Sequence, residues 1–490
     1  MFSTPHLAER HVNRLRLCAG TLVLAVLAAS CTHDARRFAG PTRGPSFSRV
    51  ASSSQAPLWT DADEFLVEYA GSTSRVTAAV ASVGGAVARV LPEVGLATVT
   101  GLDDAGAARL ARSPGITSVT RDLVVQWIAP LDPNVGLVAA DADVLPTGQN
   151  PPQTAPFLGL QWNLQTIHAP DAWATGHLGQ GARVAIVDTG IDDTHPEMQG
   201  RVDRTRSFAF IPNQFTGGSC GGVCPPWGDD NSHGTHVASV VASNAFRTAS
   251  IAPGASLIAV KVLNQNGAGT FGTVIAGILY ATTIGADIIN MSLSAYFPKN
   301  ARGGGQLNGA LAKAVNYAVG HGVFVVVAAG NDGANLDADR DFVSVPAQSG
   351  AAFAVSATGP INQVNFDQLA FYSNFGRSGV AVAAPGGNLL PGTPPVVVDV
   401  RDLVLGPCSR QSLAIPACAR ATFYLFVAGT SAASPHAAGV AALVAGRAGG
   451  GLTAGQLRTF IEQSADDLGK PGVDLFYSHG RINALRAVTQ

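Results

Sequence analysis

The run Arg183-Val184-Ala185-Ile186-Val187-Asp188-Thr189-Gly190 is almost continuously apolar until it stops at an aspartate, a threonine and a glycine. A strand without polar alternation is covered on both faces, which is the condition of a parallel sheet lined with helices. Five more short apolar runs follow, at residues 256–262, 287–291, 323–328, 352–356 and 380–383, with helical patterns between them. The expected fold class is therefore α/β, a parallel sheet held between layers of helices. In open sheets of this kind the working residues collect at the carboxyl ends of the strands, where Asp188 stands. An aspartate before a glycine is also an ordinary turn-former, so Asp188 needs partners elsewhere in the chain to mean more.

Three other stretches offer such partners. Asn231-Ser232-His233-Gly234-Thr235-His236-Val237-Ala238 opens an apolar helical run. His233 and His236 share a helix face, but the helical zinc motif wants a spacing of four with an adjacent glutamate, which this stretch lacks. His233, at the helix mouth and close to solvent, is the candidate general base, and His236 a structural histidine. The run 323–328 ends in Ala329-Gly330-Asn331-Asp332-Gly333, a turn signal whose Asn331 amide can donate to a developing oxyanion. Gly429-Thr430-Ser431-Ala432-Ala433-Ser434-Pro435-His436 puts a serine at the start of a helix that is apolar all round, with Pro435 expected in its first turn. Alone, Ser431 reads as an N-cap; with a base, an orienting carboxylate and an oxyanion donor it reads as a nucleophile.

Length and composition frame these motifs. The chain has 490 residues, 47% of them hydrophobic, enough for one large core and a second small domain. A formal charge of -2 gives no footing for nucleic acid as a partner. Cys220/Cys224 and Cys408/Cys418 are close pairs that read as local disulfides formed in an oxidising compartment. No histidine lies near either pair in sequence to complete a tetrahedral metal site.

Residues 1–31 carry Arg10, Arg14 and Arg16, then an apolar run, then Ser30 and Cys31, the grammar of an export signal. Leu27-Ala28-Ala29-Ser30-Cys31 also resembles a bacterial lipoprotein box, with the leucine one place further from the cysteine than that pattern prefers. A lipidated Cys31, plain secretion and an uncleaved anchor are all open readings. A Ser/Arg/Pro/Gly-rich tether, 32–60, leads to a compact unit at 61–127. There, strands at 64–69, 86–94, 96–99 and 116–125 and helices at 73–83 and 103–112 give the order β-α-β-β-α-β. Six prolines between 128 and 156 mark an extended linker open to proteolysis, and the main domain runs from 157 to 490.

Together Asp188-Thr189-Gly190-Ile191, His233-Gly234-Thr235-His236-Val237-Ala238, Ala328-Ala329-Gly330-Asn331 and Gly429 to His436 resemble the subtilisin family of serine proteases. The resemblance covers residues 157 to 488, including Arg481-Ile482-Asn483-Ala484, and the unit at 61–127 is similar to that family's inhibitory propeptides. It implies a three-layer parallel-sheet domain preceded by a small α+β ferredoxin-like propeptide domain. It also implies an exported serine endopeptidase made as a self-processing zymogen, secreted or lipid-anchored to the bacterial envelope. Carried over by position, Ser431 is the nucleophile, His233 the base and Asp188 the group that orients the imidazole. Asn331 and the Ser431 backbone N–H form the oxyanion hole. Substrate binds as an added antiparallel strand between Gly267-Ala268-Gly269 and Ser292-Leu293-Ser294. The implied partners are protein or peptide substrates and the chain's own propeptide, on a monomer, with no cofactor needed for the chemistry. Two other classes account for fewer of these residues: a non-catalytic binding protein on the same fold, and a metal-dependent hydrolase built on His233 and His236.

The sequence also departs from the family. Ala432 replaces the usual methionine after the nucleophile. Ser294 and Ala295 stand where two glycines usually follow the leucine, which alters the expected width of the specificity pocket. Asp332 beside the oxyanion asparagine would favour a basic residue at the cleaved position. Glu197 matches one carboxylate ligand of the family's calcium site, but the loop at 243–250 is short and lacks the carbonyl-rich turn. A segment at 387–428 carrying Cys408 and Cys418 leads into the nucleophile and is placed to shape the leaving-group side of the cleft or to cover a sheet edge.

Overall fold

The computed structural model of the chain describes residues 59–129, 137–139, 148–301, 303–392 and 394–490. The export signal, Cys31 and most of the tether lie outside the described residues. The N-terminal unit runs β1 (Trp59–Tyr69), α1 (Thr73–Ser82), β2 (Ala86–Leu91), β3 (Leu96–Thr100), α2 (Asp104–Leu110) and β4 (Ile116–Gln126). β1 begins at Trp59, two residues before the expected start of the unit. β2 stops before its expected end because Pro92 opens a short 3-10 turn closed by Gly95 at φ 65°. The sheet order β2-β3-β1-β4 is antiparallel throughout. Alternation along β1 sends its two faces to different cores. Phe65, Val67 and Tyr69 join Val76, Val80 and Leu110 in the unit's own core, while Leu66 packs into the core of the main domain.

The main domain starts with β5 (Leu137–Ala139), α3 (Trp162–Thr166), α4 (Ala169–Ala174), β6 (Arg183–Asp188) and β7 (Phe208–Ala209). It continues through α5 (His233–Val241), β8 (Ser256–Lys261), β9 (Ala268–Thr270), α6 (Phe271–Thr283), β10 (Ile288–Met291) and β11 (Ala295–Pro298). Then come α7 (Gly304–Gly320), β12 (Phe324–Ala328), β13 (Phe342–Val345), β14 (Phe353–Thr358) and β15 (Val382–Pro385). The last elements are β16 (Val404–Pro407), β17 (Phe423–Val427), α8 (Thr430–Arg447), α9 (Ala454–Ser464) and α10 (Ala484–Thr489).

Seven strands form a parallel sheet in the order β15-β14-β12-β10-β6-β8-β7, and all six apolar runs singled out in the sequence are among them. The chain steps from β6 outward to β8, then returns across β6 to β10. Right-handed crossovers therefore put α5 and α6 on opposite faces, which makes the three layers. α6 and α7 pack together, as do α5 and α8. The reversal opens a crevice beyond the carboxyl ends of β6 and β10, the position where α/β sheets bind ligands. The seventh strand, β7, is a two-residue edge too short to leave a periodic signal.

Lys261, the last residue of β8, is fully buried. Its Nζ donates to Asp230 Oδ1 at 2.7 Å and to the carbonyls of Thr189 at 2.6 Å and Leu263 at 2.8 Å. Removing one partner of a buried ion pair strands the other charge, so Lys261→Met is expected to destabilise the domain by about 3 to 5 kcal/mol, read from the urea unfolding midpoint.

Candidate active site

Asp188 ends β6 with no exposed surface, its Oδ1 accepting the Thr189 N–H at 2.7 Å. His233 opens α5 and is likewise fully buried, its Nδ1–H donating to Asp188 Oδ1 at 2.8 Å. That bond leaves Nε2 as the ring nitrogen that can accept a proton. The sequence reading put His233 close to solvent; instead it is covered. The turn before it is tightly tied. Asp229, also fully buried, accepts from the Thr189 hydroxyl, the N–H groups of Asn231, Ser232 and Thr235, and the Thr235 hydroxyl. Burial raises its pKa while those donors and Lys261 pull it back down. Nothing in the sequence reading singled out Asp229, which lies four residues before the helix start at His233.

Two glycines let these segments meet. Gly190 has φ 112°, and a side-chain carbon there would lie 2.6 Å from the carbonyls of Trp227 and Gly228. At Gly234 the same atom would lie 2.1 Å from the Gly190 carbonyl oxygen. The Asp-Thr-Gly and His-Gly-Thr turns are thus in backbone contact, and only hydrogen fits between them.

Ser431 is the second residue of α8, not its N-cap, because the helix begins at Thr430 after Gly429. Its hydroxyl donates to the Ser292 carbonyl at 2.9 Å, just past the end of β10. Its N–H falls among the first four of the helix, which have no intrahelical acceptor. Pro435 consequently sits in the second turn, where it removes the donor that would have bonded the Ser431 carbonyl. Asn331 follows β12, and its Oδ1 accepts from the Thr430 N–H and hydroxyl, each at 2.8 Å. That fixes which way its amide nitrogen points. Asn374, absent from the sequence reading and fully buried, holds the same turn, donating to the Ala329 carbonyl and the Asp332 carboxylate and accepting from the Asp332 and Ala334 N–H groups.

His236 and His436 sit in tight structural settings. His236 Nε2 donates to the Val404 carbonyl, and burial lowers its pKa to about 3. His436 bonds Asn163 and the Ala432 carbonyl, and burial lowers its pKa to about 4. Among the described residues no group of three or more His, Cys, Asp or Glu side chains is placed to hold a metal ion. The Glu197 carboxylate accepts the N–H groups of Phe246, Arg247 and Thr248 and the Tyr424 hydroxyl. Donors converging on an anion are the wrong polarity for a calcium cage, so these residues do not fit that cation.

The chain's own tail lies in the cleft. β4 extends antiparallel to β9, with Val125 opposite Gly269 and Gln126 opposite Ala268. The Trp127 and Ile128 N–H groups donate to the Gly267 carbonyl, and the Ser294 N–H donates to the Trp127 carbonyl at 3.1 Å. Trp127, Ile128 and Ala129 then border a recess whose other walls are Ser294, Tyr296, Asn331, Asp332 and Ser431. Of the six residues in the two flanking segments, Gly267, Ala268, Gly269 and Ser294 pair with or bond the tail, while Leu293 is buried and the Ser292 carbonyl receives the Ser431 hydroxyl. Cys220–Cys224 and Cys408–Cys418 are disulfides.

Residues 179–480 match the profile described as the subtilase family, Peptidase S8. Thermitase from Thermoactinomyces vulgaris is 35% identical over 335 residues, covering 68% of this chain and 97% of that protein. Subtilisin E from Bacillus subtilis (strain 168) is 28% identical over 449 residues, covering 90% of this chain and 94% of that protein. The crystal structure of fervidolysin from Fervidobacterium pennivorans, a keratinolytic enzyme related to subtilisin, overlays with a TM-score of 0.65 at 23% identity. It spans 91% of this chain and 63% of that one, a likeness of fold.

Gly234→Ala is expected to push the His233 turn off Asp188, and a displacement of about 1 Å costs on the order of 100-fold in kcat. Steady-state hydrolysis of a chromogenic peptide, beside a circular-dichroism check of folding, measures it.

Proposed function

Because the chain belongs to the subtilase family and is a subtilisin-like serine endopeptidase, we propose that it hydrolyses peptide bonds through Ser431, His233 and Asp188 and is made as a self-processing zymogen. The carrying observation is the buried 2.8 Å bond from His233 Nδ1 to Asp188 at the crevice where Ser431 and Asn331 meet the tail. His233 Nε2 takes the Ser431 hydroxyl proton as Oγ attacks the substrate carbonyl, and returns it to the leaving nitrogen; Asp188 stabilises the imidazolium formed between. The Ser431 N–H and the Asn331 amide receive the oxyanion, a contribution of roughly 3 kcal/mol per donor. Water then repeats the attack on the acyl-enzyme.

Residues 61–127 are the inhibitory propeptide in this reading, and the linker at 128–156 is where the chain is cut. Support comes from how the unit grips the main domain. Asp122 accepts the Phe271 and Gly272 N–H groups at the start of α6, Glu64 accepts the Thr270 hydroxyl, and Glu68 pairs with Lys313 of α7. Acidic groups at a helix N-terminus meet its unpaired donors and its dipole. The protein is exported, secreted or anchored through a lipidated Cys31, and acts as a monomer on protein or peptide substrates. Its chemistry needs no cofactor, and calcium is not part of the Glu197 loop. Ala129, beside a recess bounded by Ser294 and Tyr296, is read as the residue before the cut, which favours a small residue there over the basic one suggested by Asp332, whose carboxylate is engaged by Asn374.

Ser431→Ala should leave the precursor uncut between residues 128 and 157 and lower activity by about 10⁶-fold. Gel analysis of the purified variant reads the first, and fluorophosphonate labelling of the wild type reads the nucleophile. Mature-sized product from the variant alone would contradict self-processing.

Inhibition by the propeptide should weaken as pH rises. Burial, aided by Glu64, lifts the Asp122 pKa from 3.8 to about 7 against the pull of the Gly272, Leu123 and Phe271 N–H groups. A carboxyl whose pKa is higher in the complex than when free makes the complex hold the extra proton, so binding is tightest below that window and is lost through pH 7. Inhibition constants of the isolated propeptide at pH 6 and pH 8.5, with Asp122→Asn as the flat control, test the sign.

A further inference from the structure

The segment 387–428 builds a second sheet edge beside the catalytic serine. β16 and β17 pair antiparallel, Val404 opposite Val427 and Pro407 opposite Tyr424, and the Cys408–Cys418 disulfide ties the loop between them. The hairpin is anchored to the helix carrying His233: the Val404 carbonyl receives His236 Nε2, and the Leu413 N–H donates to the Asp230 carbonyl. β17 ends at Val427, four residues before Ser431, so this edge points at the nucleophile.

The outer edge of β17 is paired with β5, Leu137 opposite Leu425, Val138 opposite Tyr424 and Ala139 opposite Phe423. Leu137 and Val138 pack onto the main core, and the Tyr424 ring beneath them stands edge-on to Phe157 and His195. Direction decides the meaning. β17 runs toward Ser431, and β5 is antiparallel to it, so the captured segment runs away from the serine. The chain reaches the catalytic recess at Ala129, and Leu137 is eight residues further on. A polypeptide lying across the nucleophile leaves along the same line on its leaving-group side.

We propose that the outer edge of β17 is an exosite for the leaving-group side of extended protein substrates, held in the unprocessed chain by Leu137–Ala139. Backbone pairing supplies the affinity, and alternating apolar side chains facing the Tyr424 ledge supply the preference. The occupant is an unfolded or loop segment reaching about eight residues past the cut bond; short peptides cannot reach it. This rests on the endopeptidase reading above.

The test uses processed enzyme whose N-terminus, read by N-terminal sequencing, lies past Ala139, so that Leu137–Ala139 no longer fills the β17 edge, and two substrates, a tetrapeptide anilide and a reduced, alkylated protein. The competitor is a synthetic peptide of residues 133–143. It is expected to raise the KM for the protein about tenfold at saturation while leaving anilide turnover unchanged, the signature of lost binding remote from the chemistry. The same peptide with Val138→Pro, unable to complete the ladder, should not compete. No change in the KM for the protein, or an equal change for both substrates, would overturn the exosite. Absent anilide turnover would overturn the endopeptidase reading as well.

Discussion

A carboxylate and an imidazole 2.8 Å apart, both without solvent contact, impose the strictest condition on this molecule. Withdrawing an ion from water costs several kcal/mol even after relaxation, so such a pair persists only where every surrounding group is already placed. The Asp188 side of the pair is fixed by the strand end and the Thr189 N–H. The His233 side is fixed by Asp229, whose two oxygens between them gather five donors from the turn 229–235 and Thr189. Lys261 supplies the positive charge that offsets the neighbouring carboxylates, and its bond to the Thr189 carbonyl ties it to the same strand end. Glycine at 190 and 234 is then a steric necessity, since the two turns touch backbone to backbone.

Around that pair the fold uses one device three times, the unpaired N–H groups at the start of a helix or turn. At α8 they stand at the mouth of the helix that carries Ser431. At α6 they are met by Asp122 of the N-terminal unit, which docks that unit by hydrogen bonding. At 246–248 they are turned onto the buried Glu197 carboxylate. The difference in outcome lies in what the N–H groups face: the cleft beside Ser431, a neighbouring unit, or a buried carboxylate.

Much of this was legible in the sequence because burial on both faces leaves continuous apolar runs, and because strand ends and helix mouths carry Asp, Asn, Ser, His and Gly. Asp188, His233, Asn331 and Ser431 all stood at such ends. What the sequence did not disclose depends on distant segments meeting. Asn374 reads as one polar residue in a loop until Asp332 and Ala329 are placed beside it. Asp229 was hidden by an adjacent Asp230 with a different task, pairing with Lys261. β5 lacks any local strand signal of note; three residues become a strand only because β17 offers an edge. Pro435 was expected in the first turn, and the helix starting at Thr430 moved it one turn on.

The cleft can therefore be described as two sheet edges with a nucleophile between them. β9 pairs with β4 and β17 pairs with β5, and one stretch of the chain's own sequence supplies both partners. Open edges are a liability that folded proteins cover or blunt; here β4 covers β9 and β5 covers β17. Recognition through backbone ladders is indifferent to most side chains, so an enzyme built this way reads extension before it reads sequence. Side-chain choice is left to the recess beside Asn331, narrowed by Ser294 and Tyr296, and to the apolar ledge around Tyr424 on the far side. Because the two edges belong to different segments, one in the parallel-sheet domain proper and one in a disulfide-tied insertion, the departing side can change without disturbing the pair at Asp188 and His233.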